Sequence, residues 1–215
     1  SNDFSEGFRR IILGLFMKVV IADTLASGLQ PGHGVIFGFD EIRGGWNSLD
    51  VWVLCLGYGF QIFFDFAGYS HIAIGTARLF GIRLRENFRV PYASMTLADF
   101  WSRWHMSLSS WIRDYLFFPL ATKRRSLWWR NLSLVGSMTV FGMWHGVGAT
   151  FVIWGLYHGL LLVAHRLLQD IRNAIPALKR IPLWLENSAS WIITFALVTL
   201  GWILFRSNDW GQATR

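Results

Sequence analysis

Two histidines interrupt the stretch from Phe141 to Gly159, F-G-M-W-H-G-V-G-A-T-F-V-I-W-G-L-Y-H-G, which is otherwise suited to lipid or to a buried helix. His145, between Trp144 and Gly146, is costly to bury unless it is hydrogen-bonded, so its presence in so apolar a run reads as functional. The competing reading is a packing histidine whose ring nitrogens bond to backbone carbonyls of neighbouring helices. A neutral, desolvated imidazole suits general-base removal of a proton from an acceptor hydroxyl. A tryptophan wall beside it would exclude water and limit hydrolysis of an activated donor. On one straight helix His145 and His158 would lie roughly 20 Å apart on different faces. A partner for His145 is therefore sought on another helix, and only a break at Gly146–Gly148 would change that.

His105 is the best-placed partner by context. It lies in T-L-A-D-F-W-S-R-W-H-M-S-L-S-S-W-I-R-D-Y-L-F-F, from Thr96 to Phe118. Helical spacing puts Phe100, Trp104, Leu108, Trp111 and Tyr115 on one face and Arg103, Ser107, Ser110 and Asp114 opposite, with His105 on the shoulder. Thr96 and Asp99 make a capping-box start, and Pro119 is read as the stop. Such a helix is too polar to face lipid all round, so it lies in the interface or among other helices. Arg103, Arg113 and Asp114 read as ion pairs that fix it. Asp65, in F-D-F-A-G-Y-S-H from Phe64 to His71, falls near membrane depth and reads first as structural, pairing with an arginine or capping a helix. His71, His158 and His165 are weaker candidates, and His33 sits in a Gly-rich loop. There is no H-E-x-x-H, no histidine pair at i, i+4 and one cysteine, Cys55, so metal binding is not expected. No Gly-rich phosphate loop, G-x-S-x-G elbow or dinucleotide fingerprint appears, which removes several soluble enzyme classes.

The elements that must position these residues follow from composition. Only 15% of residues are charged, against about 25% in soluble domains, while 53% are hydrophobic, 13 are Trp and mean hydropathy is +0.36. An all-α, polytopic membrane bundle with interfacial or buried amphipathic helices is expected, as a single membrane domain over residues 1–215. The net charge of +7 sits in short clusters between apolar segments, which fits positive-inside loops and gives no indication of nucleic acid. The segments are a short tilted or interfacial helix over Gly7–Ala26 with Lys18 snorkelling or paired; Leu49–Phe64 running on into the Asp65 motif; Ile72–Gly81; a span from Leu132 to Trp144; Ala149–Leu168; and a short last span, Trp191–Phe205. Lys123, Arg124, Arg125 and Arg130 on one side, and Arg166, Arg172, Lys179 and Arg180 on the other, put both outer ends of the central pair in the cytoplasm. His145 then lies near a hairpin bend that Gly142, Gly146 and Gly148 loosen. Trp128 and Trp129 form an interfacial belt. Ser1 without an initiator Met or signal sequence reads as the start of the C-terminal part of a longer protein with helices upstream.

Three of these stretches together, F-D-F-A-G-Y-S, D-F-W-S-R-W-H-M-S-L-S-S-W-I-R-D-Y-L and M-W-H-G…W-G-L-Y-H-G, occur in the order found in one family. They resemble the bacterial membrane-bound O-acyltransferases, the alginate O-acetyltransferase group in particular, over roughly Gly7 to Arg206. The resemblance implies helices around a tunnel through the bacterial inner membrane. It implies His145 of M-W-H-G as catalytic and His105 of R-W-H as the second important position, with Trp104, Trp144, Trp154 and Asp65 as candidate tunnel lining. It further implies an acyl thioester, acetyl-CoA or an acyl carrier, as donor substrate with no resident cofactor, exopolysaccharide hydroxyls as acceptors, and a periplasmic acetylase and polysaccharide-synthesis proteins as partners. After F-F-P-L such sequences commonly continue with a Gly-rich turn, where this chain has Ala121, Thr122, Lys123, Arg124 and Arg125. D-alanyl transferases for teichoic acid share two of the motifs and are the alternative. A non-enzymatic transporter fragment would use the histidines and Asp65 as a proton or substrate path, but no repeated half supports it.

Overall fold

The structure, a computed structural model, describes residues 2–28, 34, 35, 38, 47–175, 182–207 and 211; His33, Lys179 and Arg180 lie outside them. These residues form helices and no strand, so the fold is all-α. The chain divides into two compact units, Ser1–Phe88 and Arg89–Arg215.

In the first unit, α1 (Asn2–Leu15) continues through a wider π-helical segment, Phe16–Ala22, into α2 (Asp23–Ser27). Then comes α3 (Ser48–Leu79), 32 residues long, which at the helical rise spans roughly 48 Å. Asn47 starts it with a reciprocal cap: its side chain accepts from the amides of Leu49 and Asp50, at 2.8 and 3.1 Å, while Asp50 accepts from the Asn47 amide at 3.0 Å. Gly81, at φ +76°, ends the turn that follows. The stretch running into the Asp65 motif and the one read separately over Ile72–Gly81 are therefore one helix as far as Leu79. Asp65 is half-exposed on it and pairs with Lys18 at 2.7 Å, and Lys18 also holds Asp23 at 2.7 Å. The partner of Asp65 is a lysine, where an arginine or a cap was expected.

Glycines one heptad apart bring α1 and α3 together. A Cβ at Gly75 would stand 2.6 Å from the Gly7 carbonyl oxygen, and one at Gly68 would stand 2.8 Å from that of Gly14, so only hydrogen fits between the backbones. Arg10 joins Glu6 and Glu86, and Arg78 meets Asp3 at 2.6 Å. Arg9 first, then Arg10, holds the Glu6 carboxyl down to about 2.

The second unit opens with Val90 in the left-handed region and a short 3-10 turn, Pro91–Ala93. The expected single helix from Thr96 is broken into α4 (Leu97–Arg103), α5 (Met106–Trp111), a π segment Ile112–Phe117, and α6 (Phe118–Ala121). Pro119 does not stop the run; it sits where the π segment passes into α6, and the helical backbone continues through it. The break splits the predicted face: Phe100 and Trp104 are buried, whereas Trp111 and Tyr115 are exposed. Thr96 does cap, accepting from the Asp99 amide at 3.1 Å, and the Asp99 carboxylate takes Arg103 at 2.8 Å. Arg113 and Asp114 pair with each other.

The hairpin α7 (Leu127–His145) and α8 (Ala149–Ala174) follows, then α9 (Leu183–Arg206). Gly155 lies against the Met138 carbonyl and Gly142 against that of Phe151, so these glycines serve contact between backbones. Tyr157 donates to the Leu197 carbonyl at 2.8 Å, and Trp191 donates to that of Tyr92 at 2.8 Å, which fastens α9. By length and apolar composition α3, α8 and α9 can each cross a membrane, which makes the chain a membrane protein with several spans. The Leu132–Trp144 run expected as a span lies in α7, which falls outside that set. Its Ser133, Ser137 and Thr139 return their hydroxyls to their own helix.

Glycine contact predicts a sharp contrast between positions. Gly75→Val should lower stability by about 2 kcal/mol or more through overpacking, whereas Gly136→Ala, with nothing within 4 Å of the new methyl, should be neutral or stabilising. Thermal unfolding of both variants in detergent checks this.

Candidate functional site

His145 is the last residue of α7, and Gly146–Gly148 carry the chain into α8. A side chain at Gly146 would collide with the Phe151 ring, its Cβ 2.6 Å from Cε2, so the bend closes only over hydrogen. The imidazole is half-buried in an aromatic cup, with ring centroids of Trp144 and Phe205 at 5.0 Å and of Phe141 and Trp154 at 5.6 Å. The expectation of a hairpin bend with His145 on it holds.

His105 comes from the break between α4 and α5. Its backbone is left-handed, φ 44° and ψ 53°, after an extended Trp104. This conformation is uncommon without glycine and costs on the order of 1–2 kcal/mol. Local bonds hold it: the Ser109 amide donates to the His105 carbonyl at 2.9 Å, and the Ser109 hydroxyl to that of Trp104 at 2.8 Å. The twist turns the imidazole inward, where it is only 6% exposed. It stands 6.4 Å from the His145 ring, 5.7 Å from Trp144 and 6.4 Å from Phe141. Burial, and secondarily His145, pushes the His105 imidazole down to about 4, which keeps it neutral near pH 7. So the two histidines singled out by the sequence do converge, with Trp144 touching both.

Trp154 forms the floor, 1% exposed, and on its other side lies His158 at 5.0 Å. Trp144, by contrast, is an exposed rim residue at 61%. Trp104 lies further in, against Phe100, Tyr92 and Trp202. Asp65 belongs to the other unit and is held by Lys18. Sequence reasoning ranked His158 low, yet it is fully buried between Trp101, Trp154 and Tyr157. The signal was present in its spacing of four from Trp154, which puts both on one face of α8. Phe205 and Trp202 had no such signal, since only the fold brings α9 to the bend. Among the described residues no group of three His, Cys, Asp or Glu side chains could hold a metal ion. The arrangement offers one accessible imidazole, a second buried one beside it, and a water-poor aromatic surround, which is equipment for moving a proton from a hydroxyl.

Backbone and side-chain roles of His105 separate by substitution. His105→Gly relaxes the left-handed strain and should be more stable than His105→Ala by about 1 kcal/mol, while both lose the imidazole; melting curves in detergent would show the order.

The family described as membrane-bound O-acyltransferase matches residues 46–205. Over its whole length the chain is 41% identical to the probable alginate O-acetylase AlgI of Pseudomonas aeruginosa, of which it covers 38%. It is 38% identical to the peptidoglycan O-acetyltransferase of Helicobacter pylori, over 94% of this chain and 36% of that protein. It is 35% identical to the teichoic acid D-alanyltransferase of Bacillus subtilis, over 93% of this chain and 50% of that protein. The chain thus spans half or less of the length of each of these relatives, and with the three motifs, the helical membrane fold and the paired histidines it belongs to the membrane-bound O-acyltransferase family.

Proposed function

We propose that the protein carrying this chain transfers an acyl group, acetyl in the first instance, from a thioester to hydroxyls of an exported polysaccharide in the bacterial inner membrane. The observation that carries the reading is the convergence of His145 and His105 from separate helices onto one aromatic cup. His145, the more accessible imidazole, takes the proton of the acceptor hydroxyl as that oxygen attacks the acyl carbonyl. The carbon–sulfur bond then breaks, and the leaving thiolate receives the proton. His105, neutral and buried, lines the route and orients the reacting groups. Trp154 closes the floor against water, and Trp144 stands at the rim. Acetyl is favoured because alginate and peptidoglycan acetylating relatives are the more similar ones; D-alanyl transfer, suggested by the 35% identical relative, is the second reading. Coenzyme A or an acyl carrier supplies the thioester, and a periplasmic acetylase and polysaccharide-synthesis proteins are the expected partners. Asp65, held by Lys18, is assigned a structural part beside its candidacy as tunnel lining.

His145→Ala in the full-length protein should lower polymer acetylation by roughly 10²–10⁴-fold with membrane insertion unchanged. Normal acetylation would sink the assignment, lost insertion would favour a packing role, and substrate flux without ester formation would indicate a transporter.

A further inference from the structure

Cations among the described residues differ in how they are paired. Arg9, Arg10, Lys18, Arg78, Arg103, Arg113 and Arg172 each meet a carboxylate. Lys123, Arg124, Arg125 and Arg130, at and after the turn between α6 and α7, are exposed and make no ion pair among the described residues. The first turn of α7, immediately behind them, contains no acidic residue. Three like charges ahead of the positive end of α7, with Arg130 in its first turn, repel one another and the helix dipole alike, so the turn is electrostatically incomplete by itself.

It is nevertheless built. Trp129, expected at the membrane interface beside Trp128, turns inward, and its indole donates to the Leu120 carbonyl at 2.7 Å. Arg124 lies over that indole at 4.8 Å, and the Thr122 hydroxyl donates to the Phe118 carbonyl at 2.9 Å. Around the turn Phe118, Leu127, Trp128 and Leu132 are exposed, Trp128 at 68%. Exposed cations, Arg124 among them held over an indole, ringed by exposed aromatic and aliphatic side chains match a surface with anionic phosphates above and hydrocarbon below. A soluble phosphate compound would need the cations but not the apolar ring.

We propose that the Lys123–Arg130 turn is a binding surface for anionic phospholipid headgroups, with Arg124, Arg125 and Lys123 on the phosphates and Trp128 inserted beside them. It lies outside the aromatic cup of His145 and His105 and stands apart from the acyl-transfer reading. The test titrates the detergent-solubilised full-length protein with phosphatidylglycerol and with phosphatidylcholine, reading bound lipid by native mass spectrometry. The wild type should retain phosphatidylglycerol selectively, and K123Q/R124Q/R125Q should weaken that retention on the order of a hundredfold, with Arg125→Gln alone costing roughly fivefold. The single variant, at an exposed residue, serves if the triple one misfolds, and R124K/R125K should keep most of the selectivity. Equal retention of the two lipids by the wild type, or undiminished selectivity in Arg125→Gln and the triple variant, overturns the proposal. So does displacement of the lipid by coenzyme A, which would assign the turn to a soluble phosphate donor.

Discussion

Backbone contact across the α7–α8 hairpin is the constraint on which the candidate site rests. Gly155 meets the Met138 carbonyl and Gly142 that of Phe151, and Gly159 would put a Cβ 2.9 Å from the Val135 Cα. Lipid offers no hydrophobic driving force between helices, so close van der Waals fit must supply much of their attraction. The same closeness sets the chemistry. With the axes this near, Trp154 of α8 reaches back to the His145 ring at the end of α7 at 5.6 Å, and Phe205 of α9 closes the cup at 5.0 Å. Wider helices would leave the imidazole in open solvent or lipid.

A second constraint acts at His105, where regular helix is given up. An uninterrupted helix from Thr96 would have kept this side chain on a shoulder. The left-handed residue instead breaks the run and aims the ring inward, at a conformational cost that Ser109 and the buried Trp104 help to offset. Strain of this kind clusters at functional sites, which fits the candidacy of His105. Val90, also left-handed, precedes Pro91 and is exposed; the structure gives no comparable reason for it.

Several polar groups elsewhere are paired within the chain. Lys18 is shared between Asp23 and Asp65, serines in α7 bond back to their own turns, and Arg166 of α8 reaches Asn131 of α7 at 2.8 Å. In an apolar setting each such pairing removes a desolvation cost. At the exposed turn after α6, by contrast, Lys123, Arg124, Arg125 and Arg130 meet no carboxylate among the described residues.

The sequence by itself determined the class of protein and the identity of its candidate chemistry. Long apolar segments with few charges dictate membrane helices, and a histidine flanked by tryptophan and glycine is conspicuous there because burying it is costly. Composition and motif order carry that information locally. Only the tertiary structure decided what depends on distance and backbone state. The sequence ran the first apolar stretch into the Asp65 motif but read Ile72–Gly81 separately, whereas the structure makes them one helix, with Asp65 neutralised by Lys18 from another helix. The break at His105 was invisible because Trp104 and His105 have helix-compatible sequence, and the left-handed turn is stabilised by contacts made only after folding. The spacing of four from Trp154 placed His158 on the same face of α8, but its burial against Trp101, and that of Trp154 against Trp202, are long-range packing events that only the fold supplies.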